Sequence, residues 1–444
     1  MKGIFAFAPV ALALLLGKPA AAEDLLQVYR DAQQYDAVYF AARNTLAAGR
    51  EKGPQGLALL LPSLNLTGNA TRQAIESDSK NPTLVPSFNR NPRIYGYQFT
   101  LTQPIFRLQN WNQYDQGELQ VKQAEATFAQ AQQDLMLRVA QAYFDVLASQ
   151  DTLALVRAQK AAISEQLAQA KRNFEVGTAT ITDTHEAQAR SDLSAAQEIA
   201  AQNDLENKRR ALQQITGREY AQLKPLRADI KLTPPNPTDM QTWVDLAEKQ
   251  AYAVAVQEAQ TEIAKLEVKR NNNAHMPTLD LVGTYGSTDQ TSTITQSVGS
   301  TITQGTIGLQ LAMPLFSGGG LASRDRESAA LAYKARDDLD NARRTAAFNT
   351  RQSYLAVING ISQVSALEQA KVSSQSALDS NKLGYEVGVR INIDVLNAQQ
   401  QLYSTERDLA VARYNTITNQ LRLKSNVASL GEADLEEVNR ALAP

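Results

Sequence analysis

Hydrophobic positions along the chain follow two rhythms. From Val121 onward, small or apolar residues recur every three to four positions: Val121, Ala124, Phe128, Ala131, Leu135, Val139, Ala142, Val146, Ser149, Leu153 and Val156. The seam continues through Ile163, Leu167, Ala170 and Phe174, with Lys160 as the exception. One helix face repeats at that spacing, and a seam sustained over so many turns predicts long helices packed side by side. Proline placement agrees. None lies between Pro104 and Pro225, nor between Pro314 and Pro444, and proline inside a helix costs about 3 kcal/mol. Long helices are expected over about 107–216 and 317–430, far beyond the ~11–12 residues of an ordinary globular helix.

Before each proline-free stretch the period falls to two. Leu64, Leu66, Gly68 and Ala70 alternate with Asn65, Thr67, Asn69 and Thr71, and Tyr95, Tyr97, Phe99 and Leu101 alternate with Gly96, Gln98, Thr100 and Thr102. Leu279, Leu281, Gly283 and Tyr285, and then Ile307, Leu309, Leu311 and Met313, repeat the pattern. Alternation predicts strands with one apolar and one polar face, over about 62–106 and 277–316. Periodicity leaves two readings open: a transmembrane barrel, or an antiparallel sheet over a soluble core. In the first, Leu64, Leu66, Tyr95, Tyr97, Phe99, Leu281, Tyr285 and Leu309 face lipid, the aromatic residues forming an interfacial girdle.

The two halves match. Leu61-Pro62-Ser63-Leu64-Asn65-Leu66 resembles Met276-Pro277-Thr278-Leu279-Asp280-Leu281, and Leu101-Thr102-Gln103-Pro104-Ile105-Phe106 resembles Leu311-Ala312-Met313-Pro314-Leu315-Phe316. Phe174-Glu175-Val176-Gly177 resembles Tyr385-Glu386-Val387-Gly388, after which Asp183 aligns with Asp394. A duplicated unit is implied, each copy reading helix, strand, strand, long helix, turn, helix. The copies are expected over 23–230 and 231–444. Gly177 and Gly388 sit where a long helix must reverse. The four strands cannot close a barrel, and open edges cannot sit in lipid, so transmembrane strands would require several copies.

Composition narrows the choice. Lys2, the apolar run Ile4 to Leu16 and Ala20-Ala21-Ala22 before Glu23 read as a signal peptide over 1–22. A net charge of -2 over 444 residues gives no basic excess for nucleic acid. A mean hydropathy of -0.34 argues against several apolar helices in a membrane, but not against a barrel. With no cysteine and only His185 and His275, thiolate metal sites and a Ser-His-Asp enzyme are disfavoured.

The start Glu23-Asp24-Leu25-Leu26-Gln27-Val28-Tyr29, the paired strand markers, the tips Arg172 to Asp183 and Gly384 to Leu396, and Leu212-Gln213-Gln214-Ile215-Thr216-Gly217 together resemble the TolC-type outer membrane factor family of efflux and type I secretion channels. The resemblance covers essentially the whole chain after the signal. It implies a mixed, mainly α homotrimer. Each copy would give four strands to a twelve-stranded outer-membrane β-barrel and its helices to a long periplasmic α-barrel with coiled-coil tips. An equatorial region is implied around 217–240 and 427–444. The protein would lie in the outer membrane of a Gram-negative bacterium, in contact with lipid. Its partners would be a periplasmic adaptor and an inner-membrane transporter, of RND type or ABC type, with no nucleic acid. The duct would hold no cofactor or resident metal and catalyse no reaction. The alternative is a periplasmic adaptor or coiled-coil protein without a channel, which usually brings one hairpin rather than two.

By the same resemblance, a periplasmic gate joins Tyr385 and Arg390 on one hairpin to Thr182 and Asp183 on the other, and Gln166 meets the arginine of a neighbouring copy. Without the resemblance, Asp183 and Asp394 read as residues that cap or charge the first turn of a helix. Asp394 would ring the pore constriction, where it could bind a blocking multivalent cation. The family places a second aspartate one turn on; this chain has Asn397. Weaker cation selectivity is therefore expected.

Overall fold

The computed structural model describes residues 22–80, 83, 86–227, 229–291 and 298–443. The expected signal peptide lies outside them, apart from Ala22. Three helices open the chain: α1 (Leu25–Tyr35), α2 (Ala37–Arg50) and α3 (Lys52–Ala58). The strands β1 (Ser63–Arg72), β2 (Ile75–Ser77), β3 (Phe88–Arg90) and β4 (Arg93–Phe106) follow, and then the hairpin of α4 (Leu108–Glu175) and α5 (Ile181–Thr216). The second half repeats the order: α6 (Met240–Gln250), α7 (Tyr252–Asn272), β5 (Thr278–Gln290), β6 (Ser300–Ala312), α8 (Gly320–Glu386) and α9 (Asn392–Asn426). A short α10 (Glu432–Arg440) ends it. The expected helices and strands are present. The two-stranded ribbon of β2 and β3 was not legible, because three-residue strands carry too little alternation.

The chain forms two compact units, and they cut across the repeats. Over the described residues, one runs up to Ala41 and takes in Ala131–Ala247 and the chain from Ala347 onward; the other comprises Ala42–Gln130 and Glu248–Ala346. Each repeat contributes to both.

The second unit holds the four-stranded sheet, ordered β1-β4-β5-β6 and antiparallel throughout. Residues opposite one another share a face. Leu66 faces Phe99, Phe99 faces Tyr285, and Leu281 faces Leu309. One apolar face therefore gathers Leu64, Leu66, Tyr95, Tyr97, Phe99, Leu281, Tyr285 and Leu309. Among the described residues nothing covers most of it: Leu64 is 67% exposed and Leu309 68%. A soluble sheet buries that face, so the reading as a sheet over a soluble core fails. The outer strands β1 and β6 each leave one edge unpaired. Pro104 lacks an amide hydrogen, and the ladder shifts register between Pro104 and Phe106. Just beyond this bulge, Arg107 forks onto the buried Asp280.

The first unit holds the main core. Leu135, Val139, Tyr143, Phe144 and Val146 of α4 pack with Tyr29 of α1, Leu212 of α5, Tyr414 of α9 and Leu435 of α10. Phe144 stacks on Tyr414 at 5.7 Å and meets Tyr143 edge-on at 5.7 Å. Burial pushes the hydroxyls of Tyr143 and Tyr414 above their ordinary range. The Tyr414 hydroxyl donates to Asp151 at 2.7 Å, and that of Tyr143 lies 2.8 Å from the carbonyl oxygen of Lys224. In the expected equatorial region, the first and last described segments meet the inter-repeat segment. Glu23 bridges to Leu223 and Leu226 to Leu442.

Asp36, 4% exposed, ends α1, and its carboxylate accepts the Tyr39 amide at 2.6 Å in the first turn of α2. Arg138 grips the same carboxylate with two bonds of 2.9 Å. Burial pushes this carboxyl up, but the Arg138 bonds and the amide outweigh it and hold it below the usual range. Asp36→Asn keeps a capping oxygen and loses the charge. It is expected to destabilise the protein by ~1–2 kcal/mol at neutral pH, since Arg138 is partly exposed. A lowered carboxyl contributes stability above the unfolded-state value and loses it as pH falls through the folded one. The deficit in urea midpoint should therefore close on acidification below the usual aspartate range. A constant deficit would refute the ion pair.

Candidate gate at the helix tips

The two tip turns are built alike. After α4, Gly177 takes φ +79, and the amides of Thr178 and Ala179 donate to Asn173 O at 2.8 and 3.2 Å. After α8, Gly388 takes φ +79, and the amides of Val389 and Arg390 donate to Gly384 O at 2.9 and 3.0 Å. Left-handed φ favours glycine at both positions. Gly384 has a second role: a Cβ there would lie 2.6 Å from Arg390 Cγ, so its bareness makes room for the arginine side chain.

The next helices start differently. Thr180 caps α5 in a capping box: its hydroxyl accepts the Asp183 amide at 3.2 Å, and Asp183 Oδ2 accepts the Thr180 amide at 3.0 Å. The matching residue before α9 is Ile391, which has no side-chain oxygen to offer. Asp394 is thereby free of a capping box, and Arg390 pairs with it at 3.7 Å.

Within one chain, the expected bridges from Tyr385 and Arg390 to Thr182 and Asp183 are not formed. Asp183 is committed to its own cap, Arg390 to Asp394, and Thr182 is exposed. The bonds that do join the hairpins use other residues. Asn173 of α4 donates to the Tyr385 hydroxyl at 3.2 Å. Gln166, 8% exposed, donates to Asn392 Oδ1, and Asn392 is itself 1% exposed with its Nδ2 unpartnered. Ile163, Leu167 and Ala170, on the same stretch of α4 as Gln166, form a buried apolar cluster with Ala187 and Leu396. Arg190 of α5 donates to Asn397 Oδ1 at 2.9 Å and to Gln400.

Asn173, Arg190, Asn392 and Gln400 were missed from sequence. One signal was available: aligning the repeats sets Thr180-Ile181 against Ile391-Asn392. A polar residue in place of an apolar one at a buried helix start marks a specific bond. Asp394 and Asn397 lie one turn apart and line one groove with Arg390, Asn381 and Gln401. Among the described residues, no cluster of His, Asp or Glu could hold a metal ion.

Residues 28–218 and 243–429 match the family described as outer membrane efflux protein, one stretch in each repeat. The chain is 31% identical over 422 residues to the outer membrane protein TolC of Vibrio cholerae serotype O1, covering 95% of this chain and 94% of that protein. It is 33% identical over 432 residues to the alkaline protease secretion protein AprF of Pseudomonas aeruginosa, covering 96% and 89%. Its fold is similar to that of the outer membrane protein VceC from Vibrio cholerae, with a TM-score of 0.77 at 18% identity over 91% of this chain and 96% of that one. An uncovered four-stranded sheet, twin helical hairpins and these relatives define an outer-membrane channel, an exit duct for efflux and type I secretion. The chain belongs to the outer membrane efflux protein family.

Proposed function

We propose that three copies close one barrel in the outer membrane, and that the paired tips form a gate opened by a periplasmic adaptor and an inner-membrane transporter. One observation carries this reading: a sheet with an exposed apolar face and two unpaired edges, β1 and β6, in a chain that also bears two helical hairpins. Lipid satisfies the face, and edge-to-edge pairing of copies satisfies the backbone. Three copies follow from the resemblance to TolC-type channels. The gate comprises Gln166, Tyr385 and Arg390 with Thr182 and Asp183; within one chain its hairpins are tied by Asn173 to Tyr385 and by Gln166 to Asn392. Asp394 and Asn397 line the constriction, with Asp394 as the site of multivalent-cation block. The relatives are named as outer-membrane, efflux and secretion proteins, none as an enzyme, and the duct acts by passage rather than by chemistry.

The protein extracted from outer membranes is expected to run as a heat-modifiable trimer and to give discrete single-channel currents in planar bilayers. A monomer without conductance would overturn the proposal and favour a coiled-coil adaptor.

A further inference from the structure

We infer that Arg190 is a charge-selectivity residue of the duct, offsetting the negative potential of Asp394 at the constriction. The inference rests on the reading that Asp394 and Asn397 line that constriction. Arg190 stands on α5, and its guanidinium reaches α9 rather than a neighbour on its own helix. One nitrogen donates to Asn397 Oδ1 at 2.9 Å, and another donates to Gln400 Oε1. Both acceptors are neutral amides. Among the described residues no carboxylate pairs with Arg190, so its positive charge is uncompensated.

The position of that charge gives it a function. Asn397 is one helical turn from Asp394 and lines the same groove. The bonds to Asn397 and Gln400 therefore fix a cation beside the ring of Asp394 carboxylates. An aspartate at 397 would neutralise Arg190 as an ion pair; the asparagine holds the fork and leaves the charge in the field. Asp394 is already paired with Arg390 at 3.7 Å. Each copy thus ties Arg390 to Asp394 and Arg190 to the next turn of the same helix. Fixed charges of both signs at a narrow passage cancel much of the potential that would enrich either sign of ion. Asn397 is then the acceptor that positions Arg190, as well as a missing negative charge.

The test is the reversal potential of the full-length channel in planar bilayers under a KCl gradient. Wild type, Arg190→Gln, Arg190→Lys and Asp394→Asn are compared, each first shown to assemble by heat-modifiability. Arg190→Gln should raise the cation-to-anion permeability ratio, roughly two- to fivefold. Asp394→Asn should lower it, and Arg190→Lys, which keeps the charge and loses the fork, should stay near wild type. A shift for Asp394→Asn with none for Arg190→Gln overturns the role of Arg190 alone. Equal shifts for Arg190→Gln and Arg190→Lys also overturn it, because geometry rather than charge would then be responsible. No shift for Asp394→Asn overturns the constriction reading and this inference with it.

Discussion

A channel carrying Gln166→Leu and Tyr385→Phe together should conduct far more at rest than the wild type. Both changes remove bonds between the two hairpins of one chain. Tyr385→Phe deletes the hydroxyl that accepts from Asn173 at 3.2 Å. Gln166→Leu deletes the one partner that the Asn392 side chain has among the described residues; that side chain is 1% exposed, and its Nδ2 already has none there. A neutral hydrogen bond contributes ~0.5–1.5 kcal/mol, and stranding a buried amide costs ~1–3 kcal/mol more. Together they amount to about 2–4 kcal/mol, which moves a two-state balance roughly thirty- to several-hundred-fold toward the untied arrangement. Leucine suits this apolar stretch of α4, so assembly should survive. Open probability in planar bilayers is the readout. A trimer with wild-type currents would show that these contacts do not gate.

Phe144→Ala should be the most damaging single change to stability. Phe144 is 1% exposed and lies between Tyr143 and Tyr414, each 5.7 Å away. Emptying such a site costs ~3–5 kcal/mol, and the lost ring pairs belong to an arrangement worth ~0.5–1.5 kcal/mol each beyond buried area. Tyr414 would also lose the support that aims its hydroxyl at Asp151. That carboxyl is pushed above its ordinary range by burial, partly opposed by the Tyr414 bond. The urea midpoint of detergent-solubilised protein measures the effect. A loss below ~1 kcal/mol would mean that the aromatic stack does not hold the unit together.

Much of this was legible in the sequence because two periods were clean. Alternation from Leu64 to Ala70 and from Tyr95 to Leu101 fixes which side chains share a face, and the pleat leaves them no other choice. The seam through Leu135, Val139 and Val146 did the same for α4. Gly177 and Gly388 marked the reversals because a left-handed residue is a local, backbone-level demand. Partner choice at the tips was not local. Asp183 has competing donors three residues away in the amide and hydroxyl of Thr180, whereas Arg190 and Asn397 are brought together only by tertiary packing. Whether a long side chain reaches across or folds back depends on helix rotation by a fraction of a turn, which residue types do not encode.

Duplication gave this chain two versions of one turn, and a single exchange made them mechanically unequal. With Thr180, the start of α5 is locked by reciprocal side-chain bonds; with Ile391, α9 begins without that lock. A missing cap weakens a helix start by about 1 kcal/mol. The turn between α8 and α9 is therefore the easier of the two to deform, and it is where Arg390 and Asp394 stand.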